Sequence, residues 1–186
     1  QSQVIDAARR YDLSGRESHT KYVPEDYLLA SPEDRLELVR GLMDTDGHVC
    51  KSNPGVAGYS TTSIDMAKGM LFLVQSLGGV AMLYDVPARD SVTFPGGRVC
   101  NGRAAYLVHA RLPLGESPFK VSSKAGVFVL GTRYPVRRTL TDVMEVREKE
   151  CQCIKVEADD GLYLTDDFIV THNTDDPRKS PEWKEK

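Results

Sequence analysis

Apolar residues recur every three or four positions in several stretches of the first 80 residues, the spacing typical of amphipathic helices. The first predicted helix covers 1–11. The second starts at Ser31, an N-cap serine followed by a proline and two acids. We expect it to stop near Asp44 or Thr45, because Gly47 follows and glycine commonly ends helices.

A third helix is predicted to begin at the capping signal of residues 62–65 and to end at Gly78 and Gly79. Apolar runs separated by turn residues predict strands on both sides of this helix, over 48–60 (two strands around an Asn-Pro-Gly turn), 80–86, 92–94 and 104–112. The order of helix, hairpin, helix and strands predicts an α+β domain over residues 1–113.

The pattern changes after residue 113. It weakens over 114–135, where we predict a linker. Residues 136–173 read as an all-β segment of short strands and turns, among them 152–156, 161–167 and 168–172. The polar stretch 174–186 is predicted to belong to a different functional unit.

Composition excludes several classes of protein. The chain has 186 residues, 40% hydrophobic and 27% charged, as in an ordinary globular protein. It contains no apolar run of the ~18 residues that a membrane span requires and no signal-peptide pattern. The four cysteines lack Cys-x-x-Cys spacing, which argues against zinc and for free thiols in a cytoplasmic location. The first residue is Gln1 rather than methionine, so we expect a fragment.

Charge is distributed unevenly along the chain. Residues 89–138 contain nine Lys/Arg and two acids, about +7, whereas acids concentrate in 25–46 and 142–185. A basic sheet beside an acidic site suits a nuclease, in which basic residues hold phosphates and carboxylates hold metal. A solvated surface of mixed charge is the alternative. The candidate DNA-binding residues are Arg89, Arg98, Arg103 and Arg111.

The end of the second helix is unusual. Gly41 lies mid-helix, where glycine costs roughly 1 kcal/mol relative to alanine, and close approach of another helix commonly offsets such a cost. Asp44 and Asp46 face the negative end of the helix dipole, so we expect a cation there, such as a divalent metal. The Asp-x-Asp-Gly pattern also occurs in EF-hands, but the later ligands of that loop are missing.

This helix end resembles the motif of LAGLIDADG homing endonucleases. Residues 44–47 match the end of the motif and residues 41–42 its middle, and the resemblance extends over roughly 16–113, including 19–24 and 59–63. It implies an αββαββα-like fold with a basic sheet that binds double-stranded DNA. Such enzymes need two motifs, whereas this chain shows one. The partner motif would lie upstream, as in a truncated or split enzyme, or on a second copy in a homodimer.

The resemblance also implies roles for individual residues. Asp46 would be the catalytic carboxylate that binds Mg²⁺, with Gly47 beside it in the metal site. Lys21 would assist water activation or stabilise charge in the transition state. Asp44 would cap or structure the helix end rather than cleave.

A second chemical motif lies near the C-terminus, where an apolar run ends in His172-Asn173-Thr174. An asparagine can attack its own carbonyl and break the chain behind it. A neighbouring histidine can protonate the leaving amine, and a following threonine can accept an acyl group. A strand that ends in a polar turn is the ordinary alternative.

Residues 151–174 resemble the C-terminal splicing region of inteins, which belongs to the Hint fold. The resemblance implies that Asn173 cyclises with help from His172 and that Thr174 begins the C-terminal extein. Cys153 stands where many inteins carry Asp, and together with Thr171 it fits the minority called class 3, although Cys also occurs there in ordinary inteins.

The intein resemblance implies two partners, a complementary N-terminal intein segment and the host extein, and no cofactor for splicing. Gly161 occupies a position where many relatives carry His. Two other functions remain open from the sequence. One is a stand-alone homodimeric endonuclease whose C-terminal segment is only structural. The other is an inactive interaction module with degenerate sites.

Overall fold

A computed structural model describes residues 3–93, 97, 99–131, 136–147, 150, 154 and 156–172. The chain divides into two compact units, Gln1–Arg138 and Thr139–Lys186, and each is treated by itself below. Four residues with predicted roles lie outside the described residues: Arg98, Cys153, Asn173 and Thr174.

All α-helices of the described residues belong to the first unit. They are α1 (Gln3–Arg10), α2 (Glu25–Leu28), α3 (Pro32–Asp46), α4 (Ile64–Ser76) and α5 (Ser122–Ala125). The predicted caps of the two long helices are present, because the side chains of Ser31 and Ser63 accept hydrogen bonds from the first-turn amides. Helix α3 continues through Asp46, slightly beyond the predicted end, since Gly47 passes directly into a strand without an intervening loop.

The first unit contains a four-stranded antiparallel sheet in the order β1-β2-β6-β3. These strands are β1 (Gly47–Val49), β2 (Ala57–Thr61), β3 (Val80–Val86) and β6 (Ala105–Arg111). Between β3 and β6 the chain forms a separate hairpin of β4 (Arg89–Thr93) and β5 (Val99–Gly102). The mixed helix and strand architecture is confirmed. The last helix of the expected αββαββα order is only the single turn α5.

Helices α3 and α4 cover one face of this sheet. The core between them contains Val39 and Met43 from α3, with Met70 and Leu73 from α4, and all four are fully buried. Sheet residues of the core alternate along each strand, as Val108 and Ala110 do on β6. The intervening residues therefore project from the opposite face, which neither α3 nor α4 covers.

Part of the predicted linker belongs to the first unit. Phe119 is 3% exposed and packs edge-to-face against Phe128 at a ring-centroid distance of 5.5 Å. The amide of Val129 donates to the carbonyl of Pro54 in the β1–β2 turn at 2.9 Å. Residues 114–131 were expected to be unpacked because their apolar residues follow no clear period, but tertiary contacts order them.

The second unit contains less regular structure than predicted. Strands β7 (Leu162–Leu164) and β8 (Val170–His172) form an antiparallel hairpin around a 3₁₀ turn over Asp166–Phe168. Residues 136–147 form no strand, and their apolar side chains, such as Leu140 and Val143, are exposed because no sheet receives them. No helix in the described part of the chain is long and apolar enough to cross a membrane.

Candidate functional site

Asp46 is the last residue of α3, and its side chain is exposed. Gly47 follows at a buried position, donates its amide to the carbonyl of Met43, and pairs with Tyr59 of β2. A Cβ on Gly47 would lie 2.5 Å from the carbonyl oxygen of Met43. Glycine is therefore required for the direct passage from helix to strand, and this passage places Asp46 at the edge of the sheet.

Tyr59 lies in the core behind this carboxylate. Its side chain is 2% exposed, and burial, reinforced by the negative charge of Asp46, raises the pKa of Tyr59 to about 12. Asp46 lies near Tyr59 because Gly47, the residue after Asp46, pairs with Tyr59 across β1 and β2. No sequence pattern singled out Tyr59 as an electrostatic neighbour of the acid.

Asp44 has a different environment from Asp46. Its Oδ1 accepts the amides of Lys120 at 3.0 Å and of Val121 at 3.2 Å, directly before α5. A carboxylate held by two backbone amides is a structural contact. Asp44 thereby ties the end of α3 to the start of α5.

Lys124 supplies the cation that we expected at the end of α3. Its Nζ donates to the carbonyl oxygens of Met43 at 2.9 Å, Asp44 at 2.6 Å and Thr45 at 3.3 Å. An ammonium group has three donors, and these three contacts use them all. A lysine from the predicted linker therefore satisfies these carbonyls, and metal binding by the Asp46 carboxylate stays a prediction.

Further contacts join α3 to the same segment. Arg40 donates to the carbonyl of Ser117 at 3.0 Å and forms an ion pair with Glu116 at 2.9 Å. Glu37 pairs with both Arg40 and Lys120, and these two partners lower the pKa of Glu37, Lys120 more than Arg40. We call residues 116–124 the strap.

Lys21 is exposed, and its backbone carbonyl accepts the hydroxyl of Ser63, the N-cap of α4. Ser63 follows β2 by two residues, and β2 pairs with the strand that Asp46 precedes. The topology therefore brings Lys21 and Asp46 to neighbouring strand ends. No hydrogen bond or ion pair between their side chains is present in the described part of the chain.

The predicted DNA-binding arginines fall in different places. Arg111 is exposed and projects from the open face of the sheet, and Arg89 is exposed at the start of β4. Arg103 instead lies within 2.7 Å of the Nδ1 atom of His19 and 3.6 Å from Glu17, so part of its charge is neutralised.

Two histidines lie on the open face of the sheet and were not predicted there. The pairing register places His48, Gly58, His109 and Met82 in one row across β1, β2, β6 and β3. A Cβ on Gly58 would lie 2.5 Å from the His48 ring, so glycine leaves the space that this ring occupies. Burial, with the charges of His109 and Lys124 adding to it, lowers the pKa of His48.

A complete metal site is absent from the described residues, which contain no cluster of three or more His, Cys, Asp or Glu side chains able to hold an ion. Mg²⁺ prefers carboxylates, water and phosphate oxygens as ligands. The exposed carboxylate of Asp46 fits this preference as one protein ligand. The remaining ligands would have to come from another chain segment or from bound phosphate.

In the second unit, β8 ends at His172, whose side chain is exposed. Its strand partner is Leu162, and Gly161 precedes this residue with a φ of +62°. A Cβ on Gly161 would lie 3.1 Å from Nε2 of His172, so the imidazole packs against the glycine backbone. Thr171 is half-buried and pairs with Tyr163.

Comparison with known proteins finds a family model that matches the central part of the first unit. Residues 33–111, from α3 through β6, match the family model described as a LAGLIDADG-like domain. The chain is also similar to the replicative DNA helicase DnaB of Mycobacterium intracellulare, with 29% identity over 157 residues. That alignment covers 83% of this chain and 26% of the helicase, so the chain spans about a quarter of that relative. The domain match supports a homing endonuclease domain.

Proposed function

We propose that the first unit is one half of a metal-dependent homing endonuclease that cuts double-stranded DNA at a specific site, with Asp46 as its metal-binding carboxylate. The observation that carries the proposal is the LAGLIDADG-like domain at residues 33–111. Its α3 ends in an exposed carboxylate at the edge of the four-stranded sheet. In metal-dependent cleavage of a phosphodiester, metal ions stabilise the attacking and leaving oxygens, and carboxylates hold those ions.

The second half of the site would come from another motif. Around Gly41, which is exposed on α3, a Cβ would meet no atom within 4 Å. A helix interior accepts glycine at a cost of about 1 kcal/mol, and packing of a second helix against this surface would offset that cost. We favour an upstream segment as the source of this helix, with a second copy of the chain as the alternative.

The sheet face opposite α3 and α4 would bind the DNA. Arg111 contributes a positive charge to this face, and His48 and His109 offer hydrogen-bonding groups that can reach base edges. Lys21, beside the N-terminus of α4, would act on the phosphate near Asp46. Arg89 lies on the β4–β5 hairpin and would contact the backbone farther along the duplex.

The test is cleavage of a library of long DNA duplexes in Mg²⁺ by the chain expressed with its upstream coding sequence. Asp46→Asn should abolish cleavage, and Asp65→Asn, which removes an exposed acid from the first turn of α4, should leave it intact. Persistent cleavage by the Asp46→Asn protein would show that another group binds the catalytic metal.

We further propose that the second unit carries the C-terminal steps of protein splicing, with Asn173 cyclising, His172 assisting and Thr174 as the acceptor. Two observations favour it. The β7–β8 hairpin ends at His172, so Asn173 and Thr174 follow directly after an ordered strand. An intein inserted in a host protein would also explain why 83% of this chain matches only 26% of a helicase.

In this scheme the N-terminal intein segment and the host extein are partners, and Cys153 with Thr171 would serve as the class 3 nucleophile and its companion. Intact-mass spectrometry should detect release of residues 174–186 during incubation. Asn173→Ala should prevent release, and Asn101→Ala, a change in β5, should not. Equal release from the wild-type and Asn173→Ala proteins would identify ordinary proteolysis and reject splicing.

A further inference from the structure

We propose that the strap is a positioning element for Asp46 and that Lys124 is its principal positioning residue. The inference rests on the proposed nuclease function, because it assigns a means of orienting the carboxylate that would bind the metal. Lys124 itself would touch neither the metal nor DNA.

The three N–H donors of the Lys124 ammonium group are already used in hydrogen bonds to backbone carbonyls. The last carbonyls of a helix lack intrahelical partners, and here Nζ of Lys124 binds those of Asp44 and Thr45 and shares that of Met43 with the amide of Gly47. Because an ammonium group donates three hydrogen bonds, none remains for a phosphate oxygen. Lys124 therefore acts on the site through the backbone that it holds.

The strap also holds the orientation of Lys124. The Lys124 Nζ lies 5.9 Å from the ring centroid of Phe119, a distance at which a cation is attracted to an aromatic face. Phe119 is 3% exposed, which anchors the strap in the core. Two residues before Asp46, the carboxylate of Asp44 binds the strap amides of Lys120 and Val121.

These contacts concentrate on the final turn of α3. The last turn of a helix frays readily when its carbonyls have no partners. Fraying would release Asp46, because this residue is the last of the helix. Without Lys124, the Asp46 carboxylate should therefore adopt a wider range of orientations, while the core around Met43 stays packed.

Removal of Lys124 should change the affinity for a divalent cation in opposite directions, depending on whether Lys124 acts by positioning Asp46 or only through its charge. Lys124 is a positive charge near Asp46, so electrostatics alone predicts that its removal strengthens binding of a divalent cation. Positioning predicts weaker binding, because a scattered carboxylate is a poorer ligand. The two explanations give opposite results for one variant.

The experiment uses Mn²⁺ alone as the probe and the amide NMR spectrum of the full chain as the readout. Mn²⁺ broadens nearby amide signals even when it binds weakly. In the wild-type protein we expect broadening centred on residues 45–48, and Asp46→Asn should abolish it. Absence of this broadening in the wild type would overturn the proposed metal site, and the inference with it.

For Lys124→Met we expect Mn²⁺ binding at least about threefold weaker. Lys68→Met removes the same charge from the exposed face of α4 and should change binding less than that. Lys124→Arg keeps the charge but cannot direct three donors from one nitrogen, so it should also weaken binding. Unchanged or tighter Mn²⁺ binding in a folded Lys124→Met or Lys124→Arg protein overturns the positioning role, while the Asp46→Asn result separately reports on the metal site.

Discussion

Substitution of alanine for two helical glycines should change the free energy of unfolding differently. Gly41 is in the interior of α3, and a Cβ added there would meet nothing within 4 Å. Gly69 is in the interior of α4, and a Cβ there would lie 2.6 Å from Cγ2 and 3.0 Å from Cβ of Val23. Val23 is buried, so it cannot move aside without disturbing the core.

Helix propensity is the same for both changes and favours alanine by about 1 kcal/mol. For Gly41→Ala nothing opposes this gain, so the free energy of unfolding should rise by roughly 1 kcal/mol. For Gly69→Ala the collision with Val23 costs ~1–3 kcal/mol of overpacking. After subtraction of the propensity gain, Gly69→Ala should be neutral to destabilising by about 2 kcal/mol.

Urea unfolding followed by circular dichroism at the helical minimum measures these changes, because all α-helices of the described residues lie in the first unit. The urea concentration at the unfolding midpoint should be higher for Gly41→Ala than for the wild type, and equal or lower for Gly69→Ala. The double variant Val23→Ala/Gly69→Ala should lose less free energy of unfolding than the two single variants together, because alanine at position 23 removes the collision with the methyl group at position 69. A gain in stability for Gly69→Ala, or a loss for Gly41→Ala, would refute the packing described for these helices.

Three further predictions concern chemistry rather than packing. The pKa of Tyr59 is raised to about 12 in the folded protein, so the folded state keeps the Tyr59 proton to a higher pH than the unfolded state does, and the free energy of unfolding should fall between pH 10 and pH 12. In alkaline unfolding curves Tyr59→Phe should lessen this fall, whereas the control Tyr84→Phe, at an exposed tyrosine, should not. Gly161→Ala should slow release of residues 174–186 by roughly tenfold or more in mass-spectrometric time courses, because alanine is strained at a φ of +62° and its methyl group crowds the His172 ring. An unchanged rate would show that the packing of His172 against Gly161 does not contribute to the reaction. Gly41→Ala should weaken assembly with the upstream segment in analytical ultracentrifugation, despite its gain in stability.

Local patterns were sufficient for the two long helices and for the strands of the four-stranded sheet, but not for the short elements α2, β5 and α5. The caps at Ser31 and Ser63 and the glycines after α4 marked helix boundaries to within a few residues, since these signals act through neighbours in sequence. The β1–β2 hairpin was also predictable, because its Asn-Pro-Gly turn restricts the backbone directly.

Contacts between distant segments were not predictable in the same way. Lys124 is separated by 79 to 81 positions from the three residues whose carbonyls it binds, and its surroundings in the sequence resemble a loop. Residues 140–146 show the opposite case, in which the sequence predicted regular structure and the structure has none. Their apolar and β-branched side chains suggested a strand, but no neighbouring strand pairs with them, and a strand without a partner cannot satisfy its backbone groups.

The two acids at the end of α3 show how one contact can separate residues that look equivalent in the sequence. Successive helical residues are rotated by about 100°, so Asp44 and Asp46 point in nearly opposite directions. The strap meets the side of Asp44 and binds its carboxylate with two amides, while Asp46 remains exposed beside Tyr59. Asparagine at 44 would keep an acceptor oxygen for those amides, whereas asparagine at 46 would remove the charge that a metal requires. The same substitution should therefore be tolerated at one position and abolish cleavage at the other.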